Sequence, residues 1–353
     1  MNPIRRSAAV AVTSGVAVAS LLLPNPASAS TTTNPAAAAA GFLARHMAAN
    51  GHHLVTSFDG KAYPDYGLTA DAILSIDAAG AAQHEAKLAT AYLEREVANY
   101  LGGTAPNIYP GSAAKLLLVA EAQHINPQDF GGVDLVGAIV GTEGAGGAPA
   151  GEFQNPMDTD FSASVLVQSL AVLALASSPA TAPPSASAVG FLAGQQCGNG
   201  AFQVAIRTDI GTDCLTSDND VDTTAYAVQA LLAAGNHAAA NAGARWIASQ
   251  ERGDSGWGET PGATSEANST ALAVQALLAT HRKANPGIRW LVSHQEGCKA
   301  KVGRRGAIRA QDGKYVAATA IRATTQAGAA LAARPLAWID KGGATPSAPT
   351  LKC

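Results

Sequence analysis

Aromatic side chains make up only 5% of this 353-residue chain, and charged ones only 14%. The shortage of aromatics argues against a sugar cleft with stacking walls. It argues equally against a chamber that steadies cations on π faces. No GxSxG elbow, HExxH pair or P-loop is present, which removes the hydrolase, metalloprotease and nucleotide-binding chemistry those motifs carry. A net charge of −3 supplies no basic face for nucleic acid. Beyond the N-terminus there is no apolar run of about 20 residues, so no membrane span is expected. No motif calls for a cofactor or a metal.

Cysteine is scarce too, with four in all: Cys197, Cys214, Cys298 and Cys353. Four cysteines allow three pairings. Cys197 and Cys214 share one stretch between repeats, which favours their pairing and leaves Cys298–Cys353. Metal binding is the rival, but no CxxC and no nearby histidine supports it. His46, His52 and His53 lie near one turn. Adjacent histidines without a carboxylate are a weak ligand set, and we assign them to the surface.

Arg5 and Arg6 precede an uncharged apolar run from Ser7 to Pro24, and Ala27-Ser28-Ala29 supplies small residues for cleavage. This predicts a signal peptide over 1–29, cut after Ala29, and hence a secreted, disulfide-bonded chain. Losing both arginines makes the remainder two charges more negative. We expect a linker over 30–36, one domain over 37–340, and a C-terminal tail over 341–353.

What the chain has in abundance is alanine in repeated segments. They begin at Tyr66, Pro110, Asp158, Asp220, Glu266 and Tyr315. Aligned on Thr69, Ala113, Ser162, Thr224, Thr270 and Thr319, they recur every 44 to 62 residues. Such periodicity marks a repeat architecture. These segments are apolar nearly all round, as buried helices are. The segments between them, such as that from Tyr92 to Leu101, are amphipathic. The pattern predicts an all-α toroid of six hairpins, with an alanine-rich inner ring and an amphipathic outer ring. Alternation sends the inner helices the same way. Their starts, near Gly67, Gly111, Asp160, Asp222, Asn268 and Ala317, should meet at one mouth.

That mouth is polar. Asp158 and Asp160 precede or open the third inner segment, Asp220 and Asp222 the fourth, and Glu266 and Asn268 the fifth, with Asp65 before the first. Asp and Asn there cap helices and suit the positive end of the helix dipole. One cap suffices per helix, so the doublets leave an extra group to face a cavity. The last long loop is basic, with Lys299, Lys301, Arg304, Arg305, Arg309 and Lys314. It either holds an anionic group of a ligand or is simply solvated. The expected function is binding of a small, partly apolar ligand or a surface partner at the mouth, by a monomer.

Gln250–Trp257 (QERGDSGW), which follows Trp246, resembles the glutamine–tryptophan repeats of the squalene–hopene cyclase and protein prenyltransferase superfamily. Trp290–Gln295 (WLVSHQ) is similar. Asp220–Ala225 (DVDTTA) is similar to the DxDDTA acid motif of class II terpene cyclases, with Thr223 standing at the last aspartate. The resemblance is to secreted actinobacterial proteins with prenyltransferase/squalene oxidase repeats, and it implies an α/α toroid, also the fold of the transcobalamin cobalamin-binding domain. Carried over, Asp222 would be the proton donor and Asp220 its flanking carboxylate, giving an isoprenoid-protonating enzyme as the alternative function.

Overall fold

The computed structural model describes residues 30–104, 107–156, 163–178, 183–208 and 214–353. The expected signal segment 1–29 and the acids Asp158 and Asp160 lie outside the described residues. In chain order the helices are α1 (Pro35–Ala49), α2 (Tyr66–Ala79), α3 (Gln83–Arg95), α4 (Val97–Leu101), α5 (Pro110–Ala122), α6 (Leu135–Val140) and α7 (Val165–Ser177). They continue with α8 (Ala186–Gly194), α9 (Val221–Ala233), α10 (His237–Ser249), α11 (Ala267–Ala279), α12 (Asn285–Ser293) and α13 (Ala317–Leu331). The short strands are β1 (Thr31–Thr32), β2 (Val55–Phe58), β3 (Lys61–Pro64), β4 (Phe202–Gln203), β5 (Asn219–Asp220) and β6 (Thr350–Leu351).

The fold is an α/α toroid. Helices α2, α5, α7, α9, α11 and α13 each pack on the next, and α13 packs back on α2. Buried alanines such as Ala70, Ala114, Ala171, Ala225 and Ala271 let these helices approach closely. Outside them, α1 and α3 cover α2, and α6, α8, α10 and α12 cover α5, α7, α9 and α11 in turn. The outer layer is less regular than equal hairpins would be. The amphipathic segment expected from Tyr92 belongs to a helix that begins at Gln83 and breaks at Glu96, and α6 has only six residues.

Two hydrogen-bond devices recur and set the register. In the first, a side chain on the fourth residue of an inner helix accepts the N–H of a buried apolar residue in the preceding loop. Thr69 holds Leu54, Gln168 holds Phe153, Thr224 holds Phe202 and Thr270 holds Trp257, at 2.9–3.0 Å. The equivalent in α13 is Thr324, which holds Ile308. Two of the expected anchors are therefore displaced: Gln168 replaces Ser162, and Thr324 replaces Thr319. Helix α13 carries an extra turn, so a threonine one turn too early imitates the anchor. In the second device, the first N–H of an inner helix reaches the loop that enters its neighbour. Val165 donates to Val204, Val221 to Glu259, and Ala267 to Ala310. These bonds draw the helix starts to one rim.

The third inner helix begins at Val165, not near Asp160, because Ser164 supplies the cap: its hydroxyl accepts the Val167 N–H at 3.2 Å. The other expected starts lie within a residue of those observed.

The opposite end of the ring is closed by the chain that follows α13. Leu336 donates its N–H to Gln229 Oε1, and Lys341 reaches the Gln123 carbonyl oxygen. The chain then runs beside α3, with Ala82, Gln83 and His84 donating to Ser347, Thr345 and Pro346. Pro349 crosses α1 so closely that a Cβ at Gly41 would collide with its carbonyl. Finally β6 pairs in parallel with β1, and Cys353 bonds to Cys298. The second disulfide joins Cys197 to Cys214. Both expected pairings are present. Among the described residues no helix is long and apolar enough to cross a membrane.

Candidate functional site

The rim acids divide into two kinds. Asp65 caps α2, accepting the Leu68 N–H at 2.8 Å. Asp220 caps α9, accepting the Thr223 N–H at 2.6 Å. Burial pushes the Asp220 carboxyl up, while its contacts with Thr223 pull it down. Asp222 sits in the first turn of the same helix and caps nothing. Among the described residues its buried Oδ1 has no hydrogen-bond partner. Burial pushes this carboxyl up to about 8; the Ser269 hydroxyl opposes the shift, and Asp220, Glu266 and Glu259 reinforce it. Glu266 precedes α11 without capping it and accepts from the Ser269 hydroxyl at 3.3 Å. Burial raises the Glu266 carboxyl, Ser269 lowers it, and Glu259 raises it further. Asn268 leaves a buried Oδ1 unpartnered.

The corrected register exposes a layer that the sequence reading overlooked. Two residues beyond each anchor stand Asp71, Lys115, Leu170, Tyr226, Leu272 and Gln326. Lys115 Nζ donates to Asp71 Oδ2 at 2.9 Å, with both side chains largely buried. Burial alone would depress the ammonium, but Asp71, Tyr100 and Tyr226 outweigh it and hold Lys115 above its ordinary range. Burial and Asp71 raise the Tyr226 phenol. Asp71, Tyr226, Leu272 and Gln326 surround an axial space of only about 20 Å3. On the side of α2, α9, α11 and α13 the ring is thus filled at this depth, apart from room for about one water. The signal was available: an acid, a lysine and a tyrosine occupy one repeat position within apolar segments.

Two residues before each anchor lies a second layer, nearer the mouth: Gly67, Gly111, Leu166, Asp222, Asn268 and Arg322. Arg322 was also overlooked, because the sixth repeat was aligned five residues early. Its guanidinium lies 3.8 Å from Asp65.

Space opens where this layer carries no large polar group. A cavity of about 410 Å3 lies at the starts of α5 and α7. Leu166, Val167 and Leu170 form one wall, Tyr100 and Tyr109 another, and Ser112 and Lys115 contribute polar atoms. Gly111 keeps the entrance open beside Val167.

The basic loop is mostly self-engaged. Arg305 donates to the carbonyls of Ala300 and Cys298 at 3.3 and 3.2 Å. Arg309 donates to Ser293 and lies 3.9 Å from Glu296. Arg304 stacks over Tyr315, 4.5 Å from the ring centre. The early histidines are spoken for: His52 meets Glu85 at 2.9 Å, His53 stacks on Tyr92, and His46 meets the Phe42 carbonyl. Among the described residues no three His, Cys, Asp or Glu side chains converge as metal ligands.

The glutamine–tryptophan elements are structural here. Trp257 is fully buried and donates to the Ile247 carbonyl at 2.8 Å. Gln295 ties its loop to Pro35 and Gly306.

No family model matches this chain, and no curated protein matches it significantly. Solved structures do match. The type II terpene cyclase MstE from Scytonema, in complex with geranylgeranyl dihydroxybenzoate, has 16% identity over 86% of this chain and 97% of that one, with a TM-score of 0.61. The unsaturated glucuronyl hydrolase from Bacillus sp. GL1 has 12% identity over 84% and 95%, with a TM-score of 0.59. A protein from Actinoplanes has 16% identity over 86% and 99%, with a TM-score of 0.58. At these identities the likeness establishes the toroid alone.

Proposed function

We propose that the protein binds a small, partly apolar ligand at the inner-helix mouth. The observation that carries this reading is the cavity beside Leu166, Val167 and Leu170, with the Lys115 ammonium on its lining. Apolar walls with a few placed polar groups are what small-molecule sites present. Lys115 and Ser112 suit a ligand with an oxygen acceptor at one end of an apolar body. Two disulfides fit an extracellular setting for this activity. Native mass spectrometry of the protein, purified without refolding, tests the reading. A retained mass that disappears in Leu170→Trp, with the melting temperature kept, supports it. A wild type that carries nothing, and is not stabilised by any member of a panel of isoprenoids and fatty acids, sinks it.

Asp222 supports a second reading. A buried carboxyl held protonated near neutral pH, with one oxygen unpartnered, has what a Brønsted acid requires. The chain would then protonate an isoprenoid, as in a type II terpene cyclase. Ligand binding takes precedence because the cavity is lined by the Lys115 ammonium and not by Asp222, and like charge disfavours a carbocation there. Incubation with geranylgeranyl dihydroxybenzoate or geranylgeranyl diphosphate, followed by mass spectrometry, decides. Cyclised product that Asp222→Asn abolishes would reverse the order.

A further inference from the structure

The sector of the rim around α2 and α13 differs from the acidic sector around α9 and α11. Strands β2 and β3 form a two-residue hairpin whose turn, Asp59-Gly60, has φ of 49° and 72°. Positive φ at both positions suits the right-handed twist of such a ribbon. Among the described residues the ribbon pairs with no other strand, and every residue from Thr56 to Pro64 is exposed. Phe58 lies opposite Lys61, and Thr56 opposite Tyr63. Cross-strand partners share a face, so Phe58, Tyr63 and Lys61 stand on the same side. Phe58 is 69% exposed and Tyr63 47%.

The ribbon leads into α2 and the basic loop leads into α13, and these two helices are ring neighbours tied through Arg322 and Asp65. Among the described residues the loop's unpaired cations are Lys299, Lys301 and Lys314, all exposed. Between them project Val302, 62% exposed, and Val316, 54% exposed. The extra turn of α13 lifts Val316, Ala317 and Ala318 into solvent. The acids on these two elements, Asp59, Glu296 and Asp312, are fewer than the cations. This basic character stands out in a chain of net charge −3.

We propose that this sector of the rim is a docking surface for a bilayer containing anionic lipid. Charge complementarity selects the anionic surface. The apolar side chains select a bilayer over a soluble polyanion: Phe58, Val302 and Val316 are exposed on separate elements. A fluid interface takes up such separated tips, with aromatic rings at headgroup depth and lysines at the phosphates. A charged glycan would satisfy the lysines and leave the valines in water.

Co-sedimentation with vesicles provides the test. Vesicles of equal parts phosphatidylcholine and phosphatidylglycerol should bind at least ~10-fold more protein than phosphatidylcholine alone, with binding that weakens as salt rises. The triple variant Lys299→Ser, Lys301→Ser, Lys314→Ser should lose most of that preference. Phe58→Ser with Tyr63→Ser should weaken binding ~10-fold while keeping the salt dependence. All these side chains are exposed, so circular dichroism and melting temperature should match wild type. No binding to the mixed vesicles overturns the proposal. So does binding that is indifferent to Phe58→Ser with Tyr63→Ser and equally strong to soluble heparin, a result that assigns the surface to a polyanion.

Discussion

Two buried aspartates at opposite ends of the ring respond differently to the same desolvation. At the closed end, Asp77 Oδ1 accepts amide N–H groups from Gln83 and Gln123 at 2.7 and 2.6 Å. Burial raises its carboxyl only to about 6, because these bonds, aided by Lys341, pull the other way. At the mouth, Asp222 has the Ser269 hydroxyl against three carboxylates, and it rises to about 8. Burial is common to both, and the neighbours decide. Asp77 sits in a built hydrogen-bond network beside the closing segment, which is a structural arrangement. Asp222 lacks such support, and unsupported polar groups in a concave site are candidates for function.

The contrast breaks most visibly if the ring interior is unbalanced. Lys115→Met leaves Asp71 buried without its partner and should cost roughly 3 kcal/mol in urea denaturation. Adding Asp71→Asn should recover much of that loss. A single variant as stable as wild type would show that the pair is solvated. At the closed end, Asp77→Ala strands two glutamine amides and should cost about 2 kcal/mol. Asp222→Ala should cost less, since the Ser269 hydroxyl keeps Glu266 as an acceptor.

Acidity sharpens the comparison further. A carboxyl whose folded pKa is raised binds more protons folded than unfolded. Its stabilising effect is complete below the ordinary carboxylate range and is lost as pH climbs through the folded value. Stability should therefore fall between pH ~4 and ~8, by up to about 1.4 kcal/mol per unit for each group in its own window. Asp77→Asn should reduce the slope only below about 6, whereas Asp222→Asn should reduce it from about 4 up to about 8, leaving the stretch above 6 flat. A profile unchanged by Asp222→Asn would mean that this carboxyl is not protonated at neutral pH.

The smallest effect separates capping from function at the rim. Ser164→Ala should cost about 1 kcal/mol in thermal unfolding, because it removes the observed cap of α7. Asp160→Ala should cost much less if Ser164 is the cap. The opposite ranking would restore Asp160 to the helix start.

The ring was legible because alanine-rich, all-round apolar segments recur, and because helices of that kind must be enclosed by others. The cysteine pairs were legible from their positions along the repeat. Register was harder. AATAIRATT in the sixth repeat offers three threonines, Thr319, Thr324 and Thr325, and only the hydrogen bond from Ile308 identifies Thr324 as the anchor. In the third repeat Gln168 does a threonine's work, so no hydroxyl marked the place. The slip cost the site two insights: Arg322 belongs to the Asp222 layer, and Asp71, Lys115 and Tyr226 share a depth. The hairpin was missed despite Asp59-Gly60, a strong turn pair, because a helical period governed the reading on either side. Asp220 and Asp222 were singled out from sequence, but only burial and contacts separate the cap from the exceptional acid.

The seam between α1 and α13 has a consequence for how the chain can be rearranged. Thr31 and Thr350 lie side by side in the β1–β6 pair, and Gln295 reaches the Pro35 carbonyl across the same seam. In a chain trimmed to begin at Ser30, ends placed this close can be joined without disturbing what lies between. A linker from Cys353 to Ser30, with new ends opened in an exposed rim loop, should give a permuted ring with the same neighbours in the same order. The order of synthesis would change while the native contacts did not. In the natural order α1 emerges first yet completes its packing only when the last residues arrive, so the ring stays open throughout synthesis. A permutant would place that seam in mid-chain and move the late-closing gap to a joint of choice.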